Sequence, residues 1–142
     1  LPAAIGAKVA IPEATVVCVS GVGSIMMNVQ ELATLKRYGI DVKILLLDNS
    51  ALGLVRQWQE IFFEGNYSEV HLSDNPDFAA VARAFGIQAR SIKDPEEVSE
   101  AIEWLLSTDS AAMLHVAIDS MENVWPLVPP GEPNHKMMRS SP

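Results

Sequence analysis

Two continuous apolar runs constrain this chain most: Thr15–Ser20 (TVVCVS) and Val42–Leu47 (VKILLL). A strand with one wet face alternates apolar and polar residues, and these runs do not. Each is therefore expected to be a strand buried on both faces, the kind found in parallel sheets covered by helices. The flanking sequence agrees. Gly21-Val22-Gly23-Ser24 is a tight turn leading into a predicted helix from about Met26 to Tyr38, ended by Gly39. Asp48-Asn49-Ser50 is a polar loop, after which Leu52, Val55, Trp58, Ile61 and Phe62 recur at helical spacing within Leu52–Phe63. Upstream, Leu1–Ala10 reads as a short helix stopped by Pro12. Downstream, Asn75 is the expected N-cap and Pro76 the first residue of a helix reaching Phe85. Ile87–Ile92 is a short strand, Asp94-Pro95-Glu96-Glu97 a capping box for a helix ending near Leu106, and Met113–Ile118 the last strong strand. This alternation predicts an α/β fold: three layers, α/β/α, with a mainly parallel sheet.

A chain of 142 residues is long enough for one domain with a real core. Residues 1–125 are assigned to it. Residues 126–142 hold prolines at 126, 129, 130, 133 and 142, a density that excludes helix and central strand, so an extended tail is expected. Eighteen acidic against ten basic residues give a net charge of -8, which argues against nucleic acid or an anionic membrane face as partner. A single cysteine cannot form an internal disulfide and fits a reducing compartment, hence a cytoplasmic expectation. No run approaches the roughly 18 uncharged apolar residues of a membrane helix. The start, Leu1-Pro2-Ala3-Ala4, lacks both a basic signal-peptide region and an initiator Met. The chain is thus expected to be cut from something longer, a processed N-terminus being the alternative.

Parallel sheets bind ligands at the carboxyl ends of their strands, where the two turns fall. The glycines of 21–24 would let backbone N–H groups approach an anion, helped by the following helix. An ordinary βα turn also favours glycine, and both readings stand. The turn is neither a dinucleotide fingerprint, since position 26 is Met, nor a P-loop, since no Gly-Lys-Ser/Thr follows. Asp48-Asn49-Ser50 could ligate a hard cation or form a plain Asx turn. Cys18 reads as a core thiol. His71, His115 and His135 have no zinc spacing, and His115, mid-strand, reads as a satisfied core or interface histidine. Spacing suggests no Ser-His-Asp constellation. Met27 and Trp58 have packing as their plain reading.

The two turns combine into a larger pattern. Thiamine-diphosphate enzymes carry Gly-Asp-Gly, a spacer, then Asn; here stand Gly21-Val22-Gly23, residues 24–47, then Asp48-Asn49. LPAAIGA (1–7), MMNVQEL (26–32), LLLDN (45–49), LGLVRQW (52–58), NPDF (75–78) and NVWPLVPPG (123–131) add to it. Together they resemble the C-terminal cofactor domain of acetolactate synthase (acetohydroxyacid synthase) large subunits, with a tail most like the enterobacterial isozyme II type. The resemblance implies a transferase that joins the two-carbon fragment of decarboxylated pyruvate to a second 2-keto acid, at the start of branched-chain amino-acid synthesis. It implies thiamine diphosphate, Mg2+ and, in the parent enzyme, a non-redox FAD. It implies an oligomer: the rest of the catalytic subunit, a second catalytic subunit and a small regulatory subunit. By resemblance Asn49 and the Ala51 carbonyl bind the metal. Gly21, Gly23 and Ser24 lie against the diphosphate, Met27, Gly53 and Leu54 border the cofactor, and Trp58 lines the substrate channel.

Three departures qualify the match. Val22 occupies the position of the family's metal-binding Asp, and its methyls would face a diphosphate. Losing that charge-assisted contact should cost roughly 1.5–3 kcal/mol, or about ten- to a hundredfold in affinity. By resemblance, the chain is expected to start inside the family's domain, without the cofactor-contacting segment before Leu1, and the family's catalytic Glu is expected to lie on another domain of a neighbouring subunit. The chain alone is therefore expected not to catalyse. The alternative is a non-catalytic module that binds a regulatory subunit or itself.

Overall fold

Strand pairing starts where the apolar runs start. In the computed structural model, which describes residues 1–140, Val16 pairs with Val42 and the register runs on to Gly21 opposite Leu47. The elements are α1 (Pro2–Ala10), β1 (Val16–Gly21), α2 (Val22–Met26), α3 (Glu31–Tyr38), β2 (Val42–Asp48), α4 (Gly53–Phe62), α5 (Phe78–Ala84), β3 (Gln88–Ile92), α6 (Val98–Ser107) and β4 (Ala112–Ala117). The four strands form one parallel sheet in the order β1-β2-β4-β3. β3 reaches the far edge by crossing past the place β4 later fills.

Helices cover both faces. On one, Cys18, Ile44, Leu46 and Met113 of the sheet meet Ile25, Leu32, Leu35, Phe78 and Ala82, with Leu1, Ala4 and Ile5 packed against them. On the other, Ile92, Ala112 and Leu114 meet Ala101 and Leu105 of α6. The α/β/α expectation therefore holds. Each fully buried Leu or Ile in these layers contributes roughly 1.5–3 kcal/mol, so the central strand β2, with Val42, Ile44 and Leu46 at zero exposure, anchors the sheet. Lys43 sits in that strand because its ammonium has partners. It donates to the Asp41 carboxylate at 2.5 Å, to the Thr108 carbonyl, and to the Ser110 carbonyl at 2.8 Å.

Several expectations need correction. β1 is not buried on both faces: it is an edge strand, and α6 covers the second face only over β3 and β4. Val17 and Val19 are consequently 43% and 62% exposed. The helix expected over Met26–Tyr38 starts earlier, at Val22, and breaks after Met26. Asn28 donates its side-chain amide to the Ser24 carbonyl at 3.0 Å, and Asn28, Glu31, Leu32 and Ala33 make three-residue backbone bonds instead of helical ones. The cap of α5 is Asp77, which accepts from Ala80 N at 2.9 Å, not Asn75; Asn75 N is already turned back to Leu72 O, and Pro76 precedes the helix. Asp94 does cap, accepting from Glu96 N, but it opens a single 3-10 turn before α6. The tail is not extended. Leu127 and Met138 exchange two backbone hydrogen bonds, with Gly131 at φ +80° and a 3-10 turn at Asn134–Lys136 between them. Ser141 and Pro142 lie outside the described residues.

Candidate functional site

The register places the ends of β1 and β2 side by side, Gly21 opposite Leu47 and Asp48 opposite Ala117 of β4. The turns leaving β1 and β2 therefore enclose one cavity of about 600 Å³ at the carboxyl edge of the sheet. Gly21, Val22, Gly23, Ser24 and Met27 line one side, and Asn49, Ala51, Gly53 and Leu54 the other. Ligand-binding crevices of such sheets lie in this place. Every expected site residue but Trp58 is thus brought together.

Close approach explains two glycines. A Cβ on Gly53 would stand 2.5 Å from Asn49 Nδ2, and one on Gly23 would stand 2.7 Å from Leu52 Cδ2. Asn49 Oδ1 accepts from Ala51 N at 3.2 Å, so its amide is held over the start of α4. The loop is tied down beyond that. Ala51 bridges His71, Leu52 N donates to Val70 O, and Leu72 N donates to Ser50 O, both at 2.8 Å. Ser50 is left-handed, at φ 52°.

Val22 lines the cavity and also belongs to the core. Its side chain is 1% exposed and belongs to the core cluster with Cys18 and Ile25. As the first residue of α2 it forms part of the cavity's floor, at the border between cavity and core. Trp58 is absent from the lining; it stands one helical turn beyond Leu54, edge-on to Phe62 at 6.1 Å. The α4 stripe also differs from expectation. Its buried residues are Arg56 and Gln57, while Leu54, Val55, Trp58 and Phe62 are exposed.

Sequence reasoning missed Val19, Ser20, Leu47, Leu52, Val55 and Ile118 as cavity residues. Their signal was position at a strand end or next to a turn. It also missed a hydrogen-bonded row: Ser91 Oγ lies 2.8 Å from His115 Nδ1, and His115 Nε2 2.9 Å from Asp48 Oδ2. Spacing did not suggest a Ser-His-Asp constellation, yet three different strands assemble one. His115 is indeed a satisfied histidine.

None of the cavity's lining residues carries an ionisable side chain. The cavity can enclose an apolar body between Met27, Leu54 and Val55 and offer backbone and amide groups to a polar end. It cannot itself supply a general acid or base.

Residues 1–116 match the family model "Thiamine pyrophosphate enzyme, C-terminal TPP binding domain". The chain is 56% identical over 138 residues to the acetolactate synthase isozyme 2 large subunit of Escherichia coli, covering 97% of the chain and 25% of that protein. It is 43% identical over its full length to the mitochondrial acetolactate synthase catalytic subunit of Aspergillus candidus, covering 20% of it. Among solved structures, the thiamine diphosphate-dependent 4-hydroxybenzoylformate decarboxylase of Rhodococcus jostii superposes with a TM-score of 0.77 at 27% identity, over 84% of this chain and 22% of that one. The chain spans about a quarter or less of the length of these relatives.

Proposed function

The chain belongs to the thiamine pyrophosphate enzymes, matching their C-terminal TPP-binding domain, and from that premise we propose that it is the cofactor-binding domain of an acetolactate synthase. Residues 1–125 would form that domain and residues 126–142 its C-terminal tail. The observation that carries the reading is the cavity itself: a glycine turn and an asparagine loop face one another across it, between apolar walls. The 56% identity to an acetolactate synthase large subunit supports the choice within the family.

Thiamine diphosphate fits this cavity. Its polar end would lie against Gly21, Gly23 and Ser24, where a side chain on Gly23 would collide with Leu52. Its rings would sit among Met27, Gly53 and Leu54. When bound, the cofactor supplies a carbanion at its thiazolium ring, and the protein supplies placement and electrostatics. The parent reaction would decarboxylate pyruvate and join the two-carbon unit to a second 2-keto acid, giving 2-acetolactate or 2-aceto-2-hydroxybutyrate for branched-chain amino-acid synthesis.

Mg2+ fits poorly. It demands hard oxygen ligands in octahedral geometry. Here the donors are the Asn49 amide oxygen, already accepting from Ala51 N, and the Ala51 carbonyl. Val22 adds none. No group of three His, Cys, Asp or Glu side chains among the described residues could make up the difference. The weakness falls on the metal, and through it on the cofactor's diphosphate.

No residue lining the cavity carries an ionisable side chain, which supports a catalytic acid–base group supplied by another domain. We therefore assign the chain no catalytic residue and expect it to be inactive alone. Its partners would be the rest of the catalytic subunit, where FAD would bind, a second catalytic subunit and a small regulatory subunit. The open stripe Leu54, Val55, Trp58 and Phe62 supports such covering, since apolar patches of this kind mark contact surfaces. Trp58 would line the substrate channel within that contact. A cytoplasmic enzyme of bacterial type is the setting we propose, and no helix among the described residues is long and apolar enough to cross a membrane.

The reading is tested by assaying acetolactate formation from pyruvate with thiamine diphosphate and Mg2+. Product from the full-length protein but not from residues 1–142 is expected. Product from the isolated chain would overturn the assignment of catalysis elsewhere, and none from either would overturn the synthase reading.

A finer test uses Gly53→Ala. Its backbone is ordinary enough for alanine, which should add about 0.4–1 kcal/mol through the unfolded state. The new methyl must displace the Asn49 amide, costing about 1 kcal/mol. Thermal stability is thus expected to stay nearly level while thiamine diphosphate affinity falls about tenfold. Unchanged affinity in a calorimetric titration would remove Asn49 from the site.

A further inference from the structure

We infer that His115 is a positioning residue for the loop 48–51 that borders the cavity. The sheet register carries this inference. Ser91 and His115 are direct partners on β3 and β4, and Asp48 lies on the same face of β2, two residues beyond the partner of His115. The three side chains form one row. Asp48 Oδ2 accepts from His115 Nε2 at 2.9 Å, while Asp48 Oδ1 accepts from Ser50 N at 2.7 Å. One carboxylate thus joins the rigid sheet to the loop's backbone.

The imidazole is fixed on its other side. Ser91 Oγ donates to Nδ1 at 2.8 Å, which leaves the proton on Nε2, facing Asp48. That tautomer follows from the hydrogen-bond pattern. The Phe78 ring, 5.9 Å away and tilted 42°, packs beside the imidazole. The Asp48 and His115 side chains are only 13% and 14% exposed, so water competes little for these bonds.

Two features show that the loop needs such a hold. Ser50 is in the left-handed region, which a residue with a Cβ rarely adopts unless its surroundings impose it. The residues on either side of Ser50, Asn49 and Ala51, line the cavity. Without the imidazole N–H, the Asp48 carboxylate is free to turn to solvent. Ser50 N then loses its acceptor, and the loop relaxes from its strained form. Ser91 acts one step further back, by holding the ring. The link to cofactor binding rests on the reading of Asn49 and Ala51 given above; the hold on the loop does not.

The test uses the full-length protein and hydrogen exchange followed by mass spectrometry. His115→Phe keeps the ring's packing and removes both hydrogen bonds. Exchange across residues 48–52 and 70–73 is expected to speed about tenfold or more, while residues 43–46 and 112–114 of the sheet keep their rates. His115→Gln, which retains a donor toward Asp48, is expected to restore most of the protection. Ser91→Ala, at an exposed position that leaves the core intact, should give a smaller change of the same sign. Unchanged exchange at 48–52 in His115→Phe and Ser91→Ala overturns the inference. Equal loosening of loop and sheet, or no rescue by Gln, also overturns it, because the histidine would then be only a packing residue. A parallel titration with thiamine diphosphate separates the two readings. Absent binding with the exchange pattern intact would sink the cofactor assignment and leave the positioning role standing. Lower affinity in His115→Phe that recovers in His115→Gln joins the two.

Discussion

Val22→Asp is expected to raise thiamine diphosphate affinity in the presence of Mg2+ by about ten- to a hundredfold, and to make that affinity collapse when Mg2+ is withheld. The carboxylate would add the hard, charged oxygen that the Asn49 amide and the Ala51 carbonyl lack. Position 22 begins α2 directly after Gly21, at the cavity floor, so a short acid there is within the turn that would face the diphosphate. The same change has a cost in the empty protein. Val22 is almost wholly buried with Cys18 and Ile25, and its replacement forfeits roughly 1.5–3 kcal/mol of apolar burial. An unpaired carboxylate in that setting is penalised further, with only about 0.3–1 kcal/mol returned by the helix start. The ligand-free variant should therefore melt lower than the parent. Cofactor and metal at about a hundred times their Kd should return about 2.7 kcal/mol. Calorimetric titration of both full-length proteins, with and without Mg2+, reads the first effect, and scanning calorimetry the second. Equal affinity in the two proteins would mean that the site draws its metal oxygens from elsewhere, and the argument from Val22 would fail.

The parts of the molecule legible in the sequence are those that depend on neighbours in the chain. VKILLL reads as a strand buried on both faces, and it lies between β1 and β4, with the ammonium of its one charged residue, Lys43, hydrogen-bonded. The turns at 21–24 and 48–51 could be read as a site because a strand's end and a helix's start are both local features. What was not legible depends on the order of strands. TVVCVS carries the same signal as VKILLL, yet β1 lies at an edge with Val17 and Val19 open. Nothing in six residues reports which neighbours a strand will have. Ser91, His115 and Asp48 are separated by 24 and 67 positions, so only the register could bring them together. The orientation of α4 was likewise hidden. A stripe of apolar residues ordinarily marks the buried face, but here Arg56 and Gln57 are buried under residues 121–124 and the stripe stays open. Helical spacing alone does not report whether a face is covered within the chain, and that of α4 is not.

Arg56→Ala is expected to give a large loss of stability. The Arg56 side chain is 2% exposed. Its Nη1 donates to Glu60 Oε2 at 2.9 Å, and its Nη2 donates to the Glu122 carbonyl at 3.2 Å and to Asn123 Oδ1 at 2.5 Å. Beside it, Gln57 donates to Val124 O at 3.0 Å and accepts from Val124 N at 2.9 Å. These bonds hold residues 121–124 over the polar side of α4. Glu60 is 30% exposed, so the ion pair itself contributes little after screening. The cost lies in the orphaned carbonyl and amide, at about 1–3 kcal/mol each, and in the vacated volume, together about 3–5 kcal/mol. For a domain of this size that corresponds to a fall in Tm of about 10–17 °C. Arg56→Lys keeps the charge but loses the planar fork, so it should reach one partner and fall between the two. Gln57→Ala forfeits two neutral bonds and should cost about 1–3 kcal/mol. The loss should also reach the cavity, because Ile118, in its wall, leads directly into residues 119–124. Scanning calorimetry of the full-length variants decides the matter. A Tm for Arg56→Ala within about 2 °C of the parent, the range of an ordinary surface substitution, would mean that residues 121–124 are held by something other than this guanidinium.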